Sequence, residues 1–287
     1  MEKRIKAKLR KAKAIDNHVH LSMHSESKAK IELLEESMKK SGIDFSIVLA
    51  AYFPRKTGSI TNHDILSIVE DYDNLLVFGS LDVENGLNEG TAELEELLAK
   101  DKIFGIKLYP GYQYFYPNEK KLDAIYELAS KFQVPVMFHS GLAYRSPGGI
   151  QYSRPIYMDD VAGNFPDVKF IISHLGDPSV NEAIAVAHKN PNVYLDFSGL
   201  VSNTTKSRKR ALKWQKLNEE YIVKIVADAM IDLMGTEKFI FGSDWPISSQ
   251  EKSLLLAEKL RKKLDLEKEE MKQIMSKNML RVLGIVK

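Results

Sequence analysis

The chain has 287 residues, 44% of them hydrophobic and 28% charged, with a formal net charge of +2 and no cysteine. The near-neutral balance gives no bias toward a polyanionic partner, and the missing thiols exclude a disulfide framework and any thiolate metal site. A metal must therefore be held by histidine and carboxylate, and the absence of cysteine fits the cytoplasm.

Residues 2–13 mix Lys, Arg, Ala and Leu without the apolar stretch of a secretory signal, and no run approaches transmembrane length. They predict a short basic helix packed under the fold. Eight apolar, strand-like runs follow, at 14–21, 45–52, 75–82, 104–110, 134–141, 168–176, 192–199 and 238–246. Between them apolar residues recur at helical spacing, as in Ile31, Leu34 and Met38, or Leu122, Ile125, Tyr126 and Ala129. Gly42 and Asn74 stand where helix C-termini favour Gly or Asn. Strand–helix alternation predicts a parallel sheet, and eight repeats predict closure into one α/β domain, a (β/α)8 TIM barrel spanning 1–287. A doubly wound open sheet is the alternative, but no Gly-rich phosphate loop follows an early strand. Two longer loops, 142–156 and 200–217, interrupt the pattern. From Ser249 the tail reads as two or three additional helices that finish the outer ring and cover one end.

Within 14–21, alternation places Asp16, His18 and His20 on one face and Ile15, Asn17 and Val19 on the other. Two imidazoles so spaced can reach one ion, which takes His nitrogen at about 2.0–2.1 Å and wants three or four donors. Alone, the pair is a weak signal and reads better as polar residues at a strand end. Catalytic groups of closed parallel barrels sit at C-terminal strand ends. The chain puts His139 at the end of the fifth run, His174 at the sixth and Asp244 at the eighth. Counting in twos from Met137, Ile172 and Ile240 points all three toward the barrel axis. Four of the seven histidines thus gather with a carboxylate at strand ends, a pattern suited to metal or catalytic work. Asp244 has a competing reading as the cap of the following helix. His63 and His188 read as solvated helix-end residues, and His24 lies just past the first strand, near the mouth.

With Ile106 and Leu108 facing outward, Lys107 and Tyr109 point into the barrel, which is costly for a lysine unless it is paired or neutralised. Three readings stand: a carbamylated bridge between two metals, an ammonium facing substrate or a carboxylate, and a structural ion-pair partner. Aromatic residues near the mouth (Tyr52, Phe53, Tyr109, Tyr112, Tyr114, Tyr116, Tyr144) predict a flat, partly apolar pocket. Arg55, Arg145 and Arg154, in loops after the second and fifth strands, are candidate anchors for a carboxylate. The basic run at 204–215, with its single Trp214, has the outline of a phosphate or nucleic-acid contact but reads better as a solvated helical face.

Taken together, Asp-x-His-x-His at 16–20, His-Ser-Gly at 139–141, Ser-His-Leu-Gly at 173–176 and Gly-Ser-Asp-Trp-Pro at 242–246 resemble the amidohydrolase superfamily. More narrowly, they resemble its small amidohydrolase 2 branch of metal-dependent hydrolases and aminocarboxymuconate-semialdehyde-type decarboxylases. The similarity runs from about Ala14 to the C-terminus. It implies one divalent metal ion, with zinc expected, on His18, His20, His139 and Asp244, and His174 as the neighbouring acid–base or polarising group. Asp244 would double as a catalytic proton carrier, and a second metal enters only if Lys107 is carbamylated. Lys107, Tyr109 and Arg145 are expected to bind substrate. The implied activity is attack of a metal-activated water on a small amide, ester or lactone. Non-oxidative decarboxylation of an aromatic or enoic acid is the alternative, and an anion- or nucleic-acid-binding protein is a third. No extra sequence is present for the β-sandwich of larger hydantoinase-like members. Gly-Ile-Lys at the fourth strand replaces the carboxylate of TatD-type nucleases and speaks against DNA hydrolysis. The expected partner is a small-molecule substrate, anionic or aromatic, without nucleic acid or membrane, and a homodimer is left open.

Overall fold

The computed structural model describes residues 3–21, 27–54, 59–143, 148–200 and 209–286, apart from the side chains of 27–29 and 209–218. After α1 (Lys3–Leu9) come eight strands: β1 (Ile15–Val19), β2 (Phe45–Leu49), β3 (Leu75–Phe78), β4 (Ile106–Leu108), β5 (Val136–Phe138), β6 (Phe170–Ile172), β7 (Val193–Asp196) and β8 (Phe239–Ile240). Every one lies inside an expected run. The intervals hold α2 (Ser27–Ser41), α3 (Asn62–Val69), α4 (Leu87–Ala99), α5 (Asp123–Phe132), α6 (Met158–Asn164), α7 (Val180–Lys189) and α8 (Lys209–Ala229). The tail is α9 (Gln250–Leu264), α10 (Lys268–Lys272) and α11 (Asn278–Val282). The segment 200–217, expected as a loop, is helical from Lys209 onward.

All sheet pairs are parallel, β1-β2-β3 forming one sheet and β4 to β8 the other. Both seams are bridged. Gly79 pairs with Ile106 on one side and Val19 with Trp245 on the other. His20 N–H donates to Trp245 O at 2.8 Å, and Asp244 N–H donates to His18 O at 2.8 Å. The second seam therefore closes the TIM barrel and fixes β1 against the turn after β8.

Two apolar layers follow from alternation in the strands. Ile15, Ile47, Leu76, Met137, Ile171 and Ile240 fill the barrel interior. Val48, Val77, Ile106, Leu108, Phe138 and Phe170 face outward against helix residues such as Leu34, Ile65, Leu94 and Ile125. Each such side chain is fully buried, contributing about 1.5–3 kcal/mol by removal from water. The basic N-terminal helix packs as expected: Leu9 joins the interior cluster with Met279, Leu280 and Val282 of α11, closing the bottom. Arg4 and Lys8 pair there with Asp73. With the bottom plugged, a substrate must enter at the C-terminal ends of the strands.

Candidate metal centre at the barrel mouth

His18 lies in β1 and His20 just beyond it. The register between β1 and β2 shifts between Asp16 and Val19. As a result Ile15 packs inside the barrel and Val19 in the helix layer, although the two are an even number of positions apart. Strict alternation over 14–20 is therefore corrected, and Asp16 does not share a face with the imidazoles. Its buried carboxylate accepts from Ser243 N at 2.9 Å, Ser243 Oγ at 2.6 Å and Gln250 Nε2 at 2.9 Å.

His18 Nε2 and His20 Nε2 are 3.2 Å apart, and Asp244 Oδ1 lies 3.7 Å from the first and 3.4 Å from the second. Among the described residues, these three offer ligand atoms that all lie within 4.8 Å of one another. Asp244 sits at φ 69°, and the cap of α9 is Ser249, whose side chain accepts from Lys252 N. The capping reading of Asp244 is thereby replaced. His139 is outside this compact trio but faces the same chamber, its ring 5.1 Å from that of His174.

His174 reaches the chamber by a different route from the one alternation implies. Ile171 is the interior residue of β6, and Ile172 packs outward. After Ser173 the chain enters the left-handed region, with φ 58° at His174 and 50° at Leu175. Such torsions cost of order 1–3 kcal/mol at a non-glycine residue. They bring the imidazole to 4.7 Å from the ring of His18.

Lys107 points inward, as its register opposite Met137 requires, and is fully buried. Nζ donates to Ser173 Oγ at 2.8 Å and lies 5.3 Å from the centre of the Tyr109 ring. Burial pushes this lysine down to about 7, against the opposing pull of Asp196 and Asp244. Tyr109 spends its hydroxyl on Ala50 O at 2.8 Å, so it offers the chamber a ring, 6.4 Å from His20, rather than a donor. Phe53 and Tyr112 pack on that ring. Arg154 pairs with Glu182. Arg145, His24, Arg55, Tyr144 and the start of the basic run lie outside the described residues.

One strand-end carboxylate beside this group is not among the residues that the sequence pattern singles out. Asp196, at the end of β7, is fully buried, and its Oδ2 lies 2.7 Å from His18 Nδ1. The strand-end rule, applied to the seventh run, would have found it.

These groups fit a divalent cation. Two donors about 2.0–2.1 Å from a common ion at tetrahedral angles stand about 3.3 Å apart, close to the spacings here. Burial holds His18 well below the usual imidazole range and His174 down at about 3, with the Lys107 charge adding to both, so both are neutral. Burial pushes the Asp244 carboxyl well above the usual range. A buried carboxylate beside neutral imidazole lone pairs is costly alone and stabilised by a cation. A narrow cleft of about 20 Å³, lined in part by Ser140, His174, Gly199 and Asp244, opens onto them.

No curated protein matches the sequence significantly. Among solved structures, an uncharacterized TIM-barrel protein from Bordetella bronchiseptica is 22% identical over 95% of this chain and 98% of its own, with a TM-score of 0.71. A probable 2-pyrone-4,6-dicarboxylic acid hydrolase from Acinetobacter baumannii, solved with citric acid, is 15% identical over 95% and 99%, with a TM-score of 0.64. A dihydroxybenzoic acid decarboxylase from a Polaromonas species, solved with manganese and 2-nitroresorcinol, is 15% identical over 95% and 97%, with a TM-score of 0.65. At these identities the likeness shows the fold alone. The family is established by the amidohydrolase model Amidohydro_2, which matches residues 15–285. Because that match runs from the first residue of β1 to the chain just past α11, this protein belongs to the Amidohydro_2 amidohydrolases.

Proposed function

We propose that the protein is a metal-dependent hydrolase of a small ester, amide or lactone. The observation that carries this reading is the trio His18, His20 and Asp244, with mutual donor distances of 3.2–3.7 Å at the open end of a plugged barrel. With His139 across the chamber, these residues would hold one divalent ion, zinc being our choice. Such an ion supplies Lewis acidity, lowering the pKa of a water or polarising a carbonyl. Asp244 takes the proton of the attacking water and passes it to the leaving group as the acyl–heteroatom bond breaks. His174, neutral and buried beside the trio, orients that water by accepting a hydrogen bond from it. Lys107 and the Tyr109 ring receive the rest of a small, anionic or aromatic substrate, and Arg145 is our candidate for its carboxylate.

Non-oxidative decarboxylation is the second reading. Lys107 favours it: a buried amine poised at about 7 suits a reaction in which the C–C bond breaks, carbon dioxide leaves and carbon gains a proton. Metal-reconstituted protein assayed on a panel of esters, lactones and aromatic carboxylates separates the two. Labelled water oxygen in the product supports hydrolysis, and carbon dioxide release supports the lyase. Turnover that survives complete metal removal would overturn both.

A further inference from the structure

A buried hydroxyl joins the two working imidazoles. Ser198 Oγ lies 2.7 Å from Asp196 Oδ2, 3.0 Å from His18 Nδ1 and 2.9 Å from His174 Nδ1. Asp196 Oδ2 is also 2.7 Å from His18 Nδ1, while its Oδ1 accepts from Ser198 N at 2.7 Å. The carbonyl of Ser198 stands 3.0 Å from His174 Nδ1.

With Asp196 as a carboxylate, counting hydrogens leaves one arrangement. A carbonyl oxygen only accepts, so His174 Nδ1 carries a proton. The hydroxyl has a single hydrogen, which goes to the carboxylate oxygen; its lone pairs then receive the imidazole N–H groups. His18 Nδ1, also directed at Asp196 Oδ2, is likewise N–H. Both Nε2 atoms are then bare lone pairs.

The surrounding backbone is cut to admit this unit. A Cβ at Gly242 would fall 2.5 Å from Asp196 Oδ1 and 3.1 Å from Ser198 Cβ. One at Gly199 would fall 2.8 Å from His174 Nδ1.

We propose that Asp196 and Ser198 are positioning residues that lock His18 and His174 in the same Nδ1–H tautomer. His18 thereby presents a lone pair to the cation, and His174 presents one to the substrate chamber. Neutral His174 enters the reaction as a proton acceptor, taking a hydrogen bond from water or substrate, and donates only after it has gained that proton. The proposal rests on the metal-centre reading for the role of the His18 lone pair, but the tautomers themselves do not depend on the reaction catalysed.

The test is a long-range 1H–15N correlation spectrum of the histidine-labelled full-length protein, metal-free and then zinc-loaded, at mildly alkaline pH. The expected result is Nδ1–H at both His18 and His174 in the metal-free wild type, with the His18 Nε2 signal shifting on zinc addition. Asp196→Asn should let the His18 proton move to Nε2 and weaken zinc binding about 10–100-fold, the usual effect of losing a partner behind a metal-bound histidine. Ser198→Ala should broaden or mix the His174 tautomer and lower kcat while KM stays near the wild-type value, and Ser198→Thr should restore both. A wild-type spectrum with His174 protonated at Nε2 overturns the proposal even if every variant fails to fold. So do folded Asp196→Asn and Ser198→Ala proteins whose tautomers and zinc affinity are unchanged. An absence of hydrolysis with these spectra intact would instead count against the proposed reaction alone.

Discussion

Asp16 Oδ2 and Ser243 Oγ are 2.6 Å apart, joining the first strand to the turn after the last across 227 residues. The turn carries Asp244, and the strand carries His18, so this contact sets two candidate cation donors against each other. Asp16→Ala would leave Ser243 and Gln250 donors buried without their acceptor. Loss of a buried, charge-assisted set of this kind costs about 2–4 kcal/mol. Urea unfolding should show that loss, and zinc titration should show weakened binding in the protein that remains folded. Wild-type zinc affinity in the variant would separate the seam from the metal centre.

His174→Asn should retain the cation, since the His18, His20 and Asp244 trio is complete without it. Turnover should fall by roughly a hundredfold or more, the usual scale for a lost acid–base group. Metal content and steady-state kinetics on the same preparation check both halves. Undiminished turnover removes His174 from the chemistry.

Burial lowers the Lys107 amine to about 7 from its ordinary 10.5. Between those values the unfolded chain binds a proton at this position and the folded chain does not, so the stability of the metal-free wild type gains from rising pH. Lys107→Met removes this dependence. The variant should be the more stable of the two near neutrality, and its advantage should shrink by up to about 1.4 kcal/mol per pH unit as the pH rises. Denaturant unfolding of both proteins from neutral to alkaline pH reads the difference. A constant gap would mean that Lys107 stays charged in the fold.

Gly199 has φ +70°, and a Cβ there would lie 2.8 Å from His174 Nδ1 and 3.1 Å from Asp244 Oδ2. The left-handed torsion alone costs an alanine about 1–2 kcal/mol. Gly199→Ala should therefore lose at least that stability and also lose turnover, because relief of the contact displaces His174. A variant with reduced thermal stability but intact kcat would show that the imidazole tolerates the shift.

Chelation should abolish activity, and zinc or manganese should restore it. Metal at a hundredfold excess over its Kd should raise the unfolding free energy by about 2.7 kcal/mol. His20→Ala, which removes one member of the trio, should blunt this stabilisation. A thermal midpoint indifferent to added metal in the wild type would argue that no cation binds here.

Much of the architecture was legible in the chain because it depends on local periodicity. Apolar runs of strand length alternating with helical spacing mark eight strand–helix units, and every described strand falls inside its run. The rule that barrel chemistry sits at C-terminal strand ends singles out His18, His20, His139, His174 and Asp244, and their side chains face one chamber. Outward Ile106 and Leu108 predict an inward Lys107, and it is inward.

Tertiary structure alone decided which atoms meet. The register shift in β1 sends Asp16 to Ser243 and Gln250 instead of to the imidazole face, and left-handed torsions at His174 override the outward parity of Ile172. Asp196 and Ser198 acquire their roles only because β7 lies within reach of residue 18, 178 and 180 positions away. Periodicity records which residues a strand can bury. It carries no trace of a one-residue slip, a single backbone torsion or a hydrogen bond between distant strands, because each of these is settled by packing against parts of the chain that are remote in sequence.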